Sequence, residues 1–141
     1  MQVFVVGSPI YTAQCLDRLR LNKQIVECGQ ILSALRGDTK AWVNHPCTKQ
    51  YRNHQLWLYY YQKSLLNYKR GDLKMAMWYS NAADYIRPGF HIQDYYDQMK
   101  RRLYTKDRNH YGVWSSLGES YENWYWSDVD NVWLKYKQNK S

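Results

Sequence analysis

Cysteine, proline and acidic side chains are all scarce in this chain of 141 residues, and each scarcity narrows what it can be. The three cysteines, Cys15, Cys28 and Cys47, are odd in number and lack a CxxC spacing. They offer neither a disulfide framework nor a zinc ligand set, and free thiols suit a reducing compartment. No apolar run approaches the ~20 residues of a membrane span. The opening VFVV is too short for a signal sequence and has no charged region before it. Internal repeats and low-complexity stretches are lacking too. These absences lead us to expect a soluble intracellular protein with no membrane attachment.

The shortage of acid is uneven. Residues 1–70 hold ten Lys/Arg against three Asp/Glu, a net +7, whereas residues 71–141 hold ten against nine, a net +1. A basic half beside a balanced half suggests one face built for a polyanion. Seven Trp and fifteen Tyr are the other surplus. Such rings serve a packed core first, and stacking on nucleic-acid bases second. With 45% hydrophobic residues, the chain is expected to fold as one domain over residues 1–141.

The pattern along the chain is mainly α. Gln2 to Val6 (QVFVV) reads as a short β-type segment ended by Gly7-Ser8-Pro9. A long helix is predicted over about 10–35. In it Leu21, Ile25, Cys28, Leu32 and Leu35 form one apolar stripe, and Gly37 is the C-cap. Asn44-His45-Pro46 breaks the chain, because proline disfavours helix at the residue before it. A second helix is predicted from there to about Lys69, a third over about 73–86 and a fourth over 92–103. The aromatic tail is expected to be irregular, with short strands near 122–136. Its ENWYW stretch (Glu122 to Trp126) suits an aromatic cluster better than a stacking surface.

Glu27 is the one acid among residues 18–32, and on a helix it shares a side with Arg20, Lys23 and Gln24. A surface ion pair with Lys23 at i, i+4 would account for it, at a few tenths of a kcal/mol (~0.3–0.5). The basic surroundings and the nearby N-terminal segment allow more. An α-amine titrates near ~7.7–8.0, well below a lysine, and is therefore partly nucleophilic at neutral pH. An amine on Met1, with Gln2 beside it and Glu27 to move protons, suits Schiff-base chemistry at an aldehydic sugar carbon. His45, Thr48 (as an N-cap), Arg52 and His54 could face a phosphate or a base. So could Lys100, Arg101 and Arg102, in a segment that also carries Lys106 and Arg108.

These residues resemble the pyrimidine-dimer DNA glycosylase family, the endonuclease V type of phages and bacteria. Its helix pattern L-D-x-x-x-L-(x)5-E-(x)7-L reads here as Leu16, Asp17, Leu21, Glu27 and Leu35. Its N-H-P segment with a following aromatic reads as Asn44, His45, Pro46 and Tyr51. The resemblance covers about residues 1–65 and is looser beyond. It implies a mostly helical domain that cleaves an N-glycosyl bond through an N-terminal α-amine. An imine forms at C1′, β-elimination nicks the strand at the abasic site, and a glutamate, Glu27 by position, is the acid/base. It also implies base flipping in a kinked duplex, and no metal or organic cofactor. The partner would be double-stranded DNA with a damaged or abasic site, bound by a monomer in the cytoplasm at the nucleoid.

Two departures stand out. Gln2 is too bulky for usual removal of the initiator methionine, so Met1 is expected to carry the amine, one residue displaced. The family's arginines beside the catalytic glutamate are replaced by Val26 and Gln30, and Arg20 and Lys23 could compensate. Three other readings stay open: a DNA-binding relative without catalysis, a glycosylase for another modified base, and a protein-interaction domain.

Overall fold

The computed structural model describes residues 2–118, 124–127 and 132–135. Six helices carry it: α1 (Pro9–Cys15), α2 (Arg18–Arg36), α3 (Pro46–Gln50), α4 (Gln55–Lys69), α5 (Leu73–Tyr85) and α6 (Gln93–Lys106). A 3-10 helix follows at Gly112–Leu117. Strands β1 (Trp124–Ser127) and β2 (Val132–Lys135) pair antiparallel, with Trp126 opposite Trp133. The architecture is the compact, mainly helical one expected, and the strand pair falls where short strands were predicted. Met1, the proposed amine carrier, lies outside the described residues, as do Glu122 and Asn123 of the ENWYW stretch.

Three predicted boundaries move. The helix over 10–35 is two helices, because Leu16 turns extended and Asp17 starts α2 as its N-cap, accepting from the Arg20 amide at 3.4 Å. The helix after Pro46 also splits: α3 ends at Gln50 and α4 begins at Gln55. His45, not Thr48, caps α3, with its Nδ1 accepting from the Cys47 amide at 3.1 Å. Thr48 is buried, and among the described residues its Oγ1 has no hydrogen-bond partner. Gly37 does close α2, at φ 80°. The Asp38 amide returns to the Ser33 carbonyl at 3.0 Å in the six-to-one pattern of a Schellman turn.

Residues 2–6 are not a strand of any sheet, which corrects the β-type reading. Their alternating pattern survives because side chains take the place of a ladder. The amides of Gln2, Phe4 and Val6 donate to Glu27 (3.3 Å), Gln24 (2.8 Å) and Thr12 (3.2 Å). Buried backbone groups need partners, and here α1 and α2 supply them. Val3, Phe4, Val5 and Val6 are all buried in the core.

Helix α4 organises that core by packing on α1, α2 and α5. Tyr61 donates to the Phe4 carbonyl at 2.5 Å, and Ser64 to the Ala76 carbonyl at 2.8 Å. Gln62 reaches the Ile25 carbonyl at 2.9 Å across a close approach at Gly29, where a Cβ would sit 3.1 Å from the Gln62 amide nitrogen. Among the described residues six of the Trp and Tyr rings are buried: Tyr51, Trp57, Tyr61, Tyr95, Tyr111 and Trp114. Tyr51, Trp57 and Tyr61 stack in sequence at 5.4 and 5.0 Å between ring centroids. His91 stands edge-on to Trp57 at 4.5 Å and shares a 2.9 Å hydrogen bond with the Tyr51 hydroxyl. Burial, with the charges of His54 and Arg87, pushes the His91 imidazole down to about 3, so it is neutral in the folded protein.

Candidate active site

The N-terminal segment and α2 meet around Glu27. Its Oε2 accepts from the Gln2 amide at 3.3 Å and from the Gln24 side-chain amide at 3.4 Å. Gln24 is the joint. Its oxygen accepts from the Phe4 amide and lies 3.1 Å from the Tyr61 hydroxyl, while its nitrogen donates to the Gln2 carbonyl and to Glu27. With 1% of its surface exposed, Gln24 has no face left for DNA. It fixes the start of the chain against the carboxylate, a different task from the DNA contact expected of it.

A pocket of about 170 Å³ opens at this point, lined by Gln2, Phe4, Leu19, Arg20, Lys23, Gln24, Glu27 and Lys106. Six of the residues singled out in the sequence therefore come together: Gln2, Arg20, Lys23, Gln24, Glu27 and Lys106. Lys23 and Lys106 are exposed, and among the described residues Lys23 forms no ion pair with Glu27. Three cations thus line a pocket around one carboxylate, an arrangement suited to holding an anion.

Arg20 is held more firmly than the two lysines. Its guanidinium lies 3.2 Å from Asp17 and 5.9 Å from the centre of the Tyr111 ring. Burial raises the Asp17 carboxyl, but hydrogen bonds from Tyr111 and Arg20 and the Arg20 charge outweigh it and hold it below its usual value. His45 is half-buried and its imidazole is lowered by burial, against the opposing charge of Glu27. The N-H-P segment therefore lies within electrostatic reach of the pocket.

The remaining candidates are placed elsewhere. Thr48 is interior. Arg52 is exposed on the turn between α3 and α4, and His54 leans edge-on to Phe90 at 5.7 Å, with burial lowering its imidazole. The basic run on α6 fans out. Lys100 sits over Trp114 at 5.8 Å, Arg101 donates to the Leu117 carbonyl at 2.8 Å, and half-buried Arg102 is lowered by burial near Tyr95 and Cys47. None of the three lines the pocket. Lys106, one turn further on, does, and nothing in the local sequence set it apart. Asp17 and Tyr111 were missed as parts of the site. The Leu16-Asp17 motif pointed toward the first, while the second joins it from 94 residues away.

On the adjoining face of α2, an open groove of about 690 Å³ runs past Val26, Gly29, Gln30, Tyr59, Lys63 and Trp42. Trp42 is 43% exposed, stands edge-on to His45 at 5.8 Å and has φ 66°, a conformation that non-glycine residues avoid. Among the described residues no cluster of His, Cys, Asp or Glu could hold a metal ion, and no helix is long and apolar enough to cross a membrane.

The family model described as pyrimidine dimer DNA glycosylase matches residues 1–71, which contain α1 to α4 and every lining residue of the pocket except Lys106. No curated protein and no solved structure matches the chain.

Proposed function

We propose, since the chain belongs to the pyrimidine dimer DNA glycosylase family, that it excises damaged bases of the pyrimidine-dimer type and nicks the strand at the resulting abasic site. The nucleophile is the α-amine of Met1 and the acid/base is Glu27. The observation that carries this reading is the 3.3 Å contact between the Gln2 amide and the Glu27 carboxylate, in a pocket lined by Arg20, Lys23 and Lys106. One residue spans at most ~3.6 Å of chain. Covalent geometry thus bounds an amine one residue before Gln2 to about 7 Å from Glu27, and proton transfer requires it to come within direct or one-water reach.

The chemistry follows from those groups. The unprotonated amine attacks C1′ of the damaged nucleotide as the base leaves with the glycosyl electron pair. Loss of the amine proton and opening of the sugar give a protonated imine joining C1′ to the protein. Glu27 stabilises that cation and relays protons. The imine acidifies the proton at C2′, and its removal expels the 3′ phosphate by β-elimination. Water then hydrolyses the imine and frees the amine. Arg20, Lys23 and Lys106 hold flanking phosphates.

The test is borohydride reduction in the presence of a duplex with one abasic site, repeated with a dimer-containing duplex. The expected result is a stable protein–DNA adduct whose linkage maps to the N-terminal residue. No adduct on either duplex, despite tight binding, would favour a DNA-binding relative without catalysis. An adduct on the abasic duplex together with an uncut dimer would point to a different damaged base.

A further inference from the structure

The family match ends at residue 71, yet the pocket does not. Lys106 closes one side of it, and Tyr111 reaches back to the start of α2. The Tyr111 hydroxyl donates to Asp17 Oδ1 and accepts from the Asp17 backbone amide at 3.0 Å. Asp17 in turn accepts from the Arg20 amide through Oδ2 and from the Arg20 guanidinium through Oδ1, at 3.4 and 3.2 Å. The Tyr111 ring lies beneath that guanidinium and stacks on Trp114 at 5.5 Å, with 9° between the planes. Tyr111 is 2% exposed, so the hydroxyl and ring form a fixed seat.

A cap for α2 requires only the Asp17 carboxylate and the Arg20 backbone amide. The Arg20 side chain adds nothing to that cap, and Arg20 lines the pocket. A guanidinium carries five N–H donors in a planar fork. Among the described residues Asp17 is the one polar group that it bonds, which leaves donors for an anion in the pocket. Holding a flexible cation in place before binding removes an ordering cost at the moment of binding.

We infer that Tyr111 is a positioning residue that, through Asp17, presets the Arg20 guanidinium to take one DNA phosphate beside Glu27. The inference rests on the DNA glycosylase reading and extends the working site into the half of the chain beyond the family match. Asp17 is shared by the cap and the seat, so α2 cannot start at Arg18 without also placing Arg20.

The experiment is equilibrium binding of the full chain to a duplex carrying a tetrahydrofuran abasic-site analogue, from 50 to 200 mM salt. The unaltered protein is compared with Tyr111→Phe, Asp17→Asn, Arg20→Ala and Tyr111→Phe/Arg20→Ala. Tyr111→Phe keeps the ring and removes the hydroxyl, and Asp17→Asn keeps a good N-cap while removing the charge. Loss of one phosphate contact lowers the salt slope by about 0.9, so over this fourfold range Arg20→Ala and Tyr111→Phe each lose about 3.5-fold less affinity than the unaltered protein does. In Asp17→Asn the negative charge removed from beside the pocket offsets the lost contact, and the slope is unchanged. In the Arg20→Ala background, Tyr111→Phe produces no further change. An unchanged slope in Tyr111→Phe would overturn the inference, as would an equal loss of affinity with and without Arg20. Failure of the unaltered protein to bind the duplex would instead overturn the DNA reading beneath it.

Discussion

Gln24 is the residue whose removal tests the site most directly. Gln24→Leu keeps roughly the volume and removes every polar bond. The Phe4 amide, buried at 2.8 Å from the Gln24 oxygen, would then have no acceptor. An unsatisfied buried amide costs about 1–3 kcal/mol, and the lost bond to the Gln2 carbonyl adds about 1 kcal/mol. The Gln2 carbonyl is only half-buried and can turn to water, and Tyr61 keeps its 2.5 Å bond to the Phe4 carbonyl. The expected destabilisation is therefore ~2–4 kcal/mol, a large share of the ~5–15 kcal/mol that holds a typical domain. At about 4 °C per kcal/mol for a chain of this size, the midpoint should fall by ~8–16 °C. Denaturant unfolding gives the free energy, and single-turnover borohydride trapping well below the midpoint gives the chemistry. Trapping should slow by more than the unfolded fraction explains, because the N-terminal segment no longer lies fixed against Glu27. Stability within ~0.5 kcal/mol of the unaltered protein, with trapping at the same rate, would refute the role assigned to this side chain.

Three further outcomes follow from the same structure. Glu27→Gln should lower adduct formation by ~10²–10⁴-fold, the usual range for a lost general acid/base, while duplex affinity holds or rises as a negative charge leaves a basic pocket; single-turnover trapping beside equilibrium binding separates the two. Trp42→Gly should leave thermal stability unchanged or slightly higher, since glycine accepts φ 66° without strain, yet weaken duplex binding if the ring stacks on DNA, by ~1–3 kcal/mol for one base. The pH dependence of stability should carry the mark of His91. Its imidazole sits at about 3 in the folded protein against about 6.5 when unfolded, so the unfolded chain alone takes up a proton as pH falls between those values. Stability present above pH ~6.5 is then lost toward pH 3, by at most about 4–5 kcal/mol at 1.36 kcal/mol per unit. A flatter profile in His91→Phe over that window is the check.

What could be read from the sequence was whatever local chemistry decides. The apolar stripe on α2, the cap at Gly37 and the break at His45-Pro46 depend on a few adjacent residues, and all three are present. The grouping of Arg20, Lys23 and Glu27 needed only helical spacing, so it too could be found before any contact was known. Distant partners were not legible. Gln24 looked like one more polar residue on the basic side until the Phe4 amide and Tyr61 claimed its oxygen and the Gln2 carbonyl its nitrogen. QVFVV has the alternation of a strand, but alternation says only that amides at 2, 4 and 6 point one way. Whether a neighbouring strand or a helix's side chains meet them is a tertiary fact. The cations on α6 show the same limit. Lys100, Arg101, Arg102 and Lys106 look alike in a charge count, yet one covers a ring, one ties down the 3-10 helix, one is half-buried and one lines the pocket. Charge composition pointed to a basic face, and packing decided which of these cations line the pocket. The pocket depends on α6 and Tyr111 as well as on α2, so residues 1–71 carry the acid and most of the lining, while the seat for Arg20 is completed from outside them.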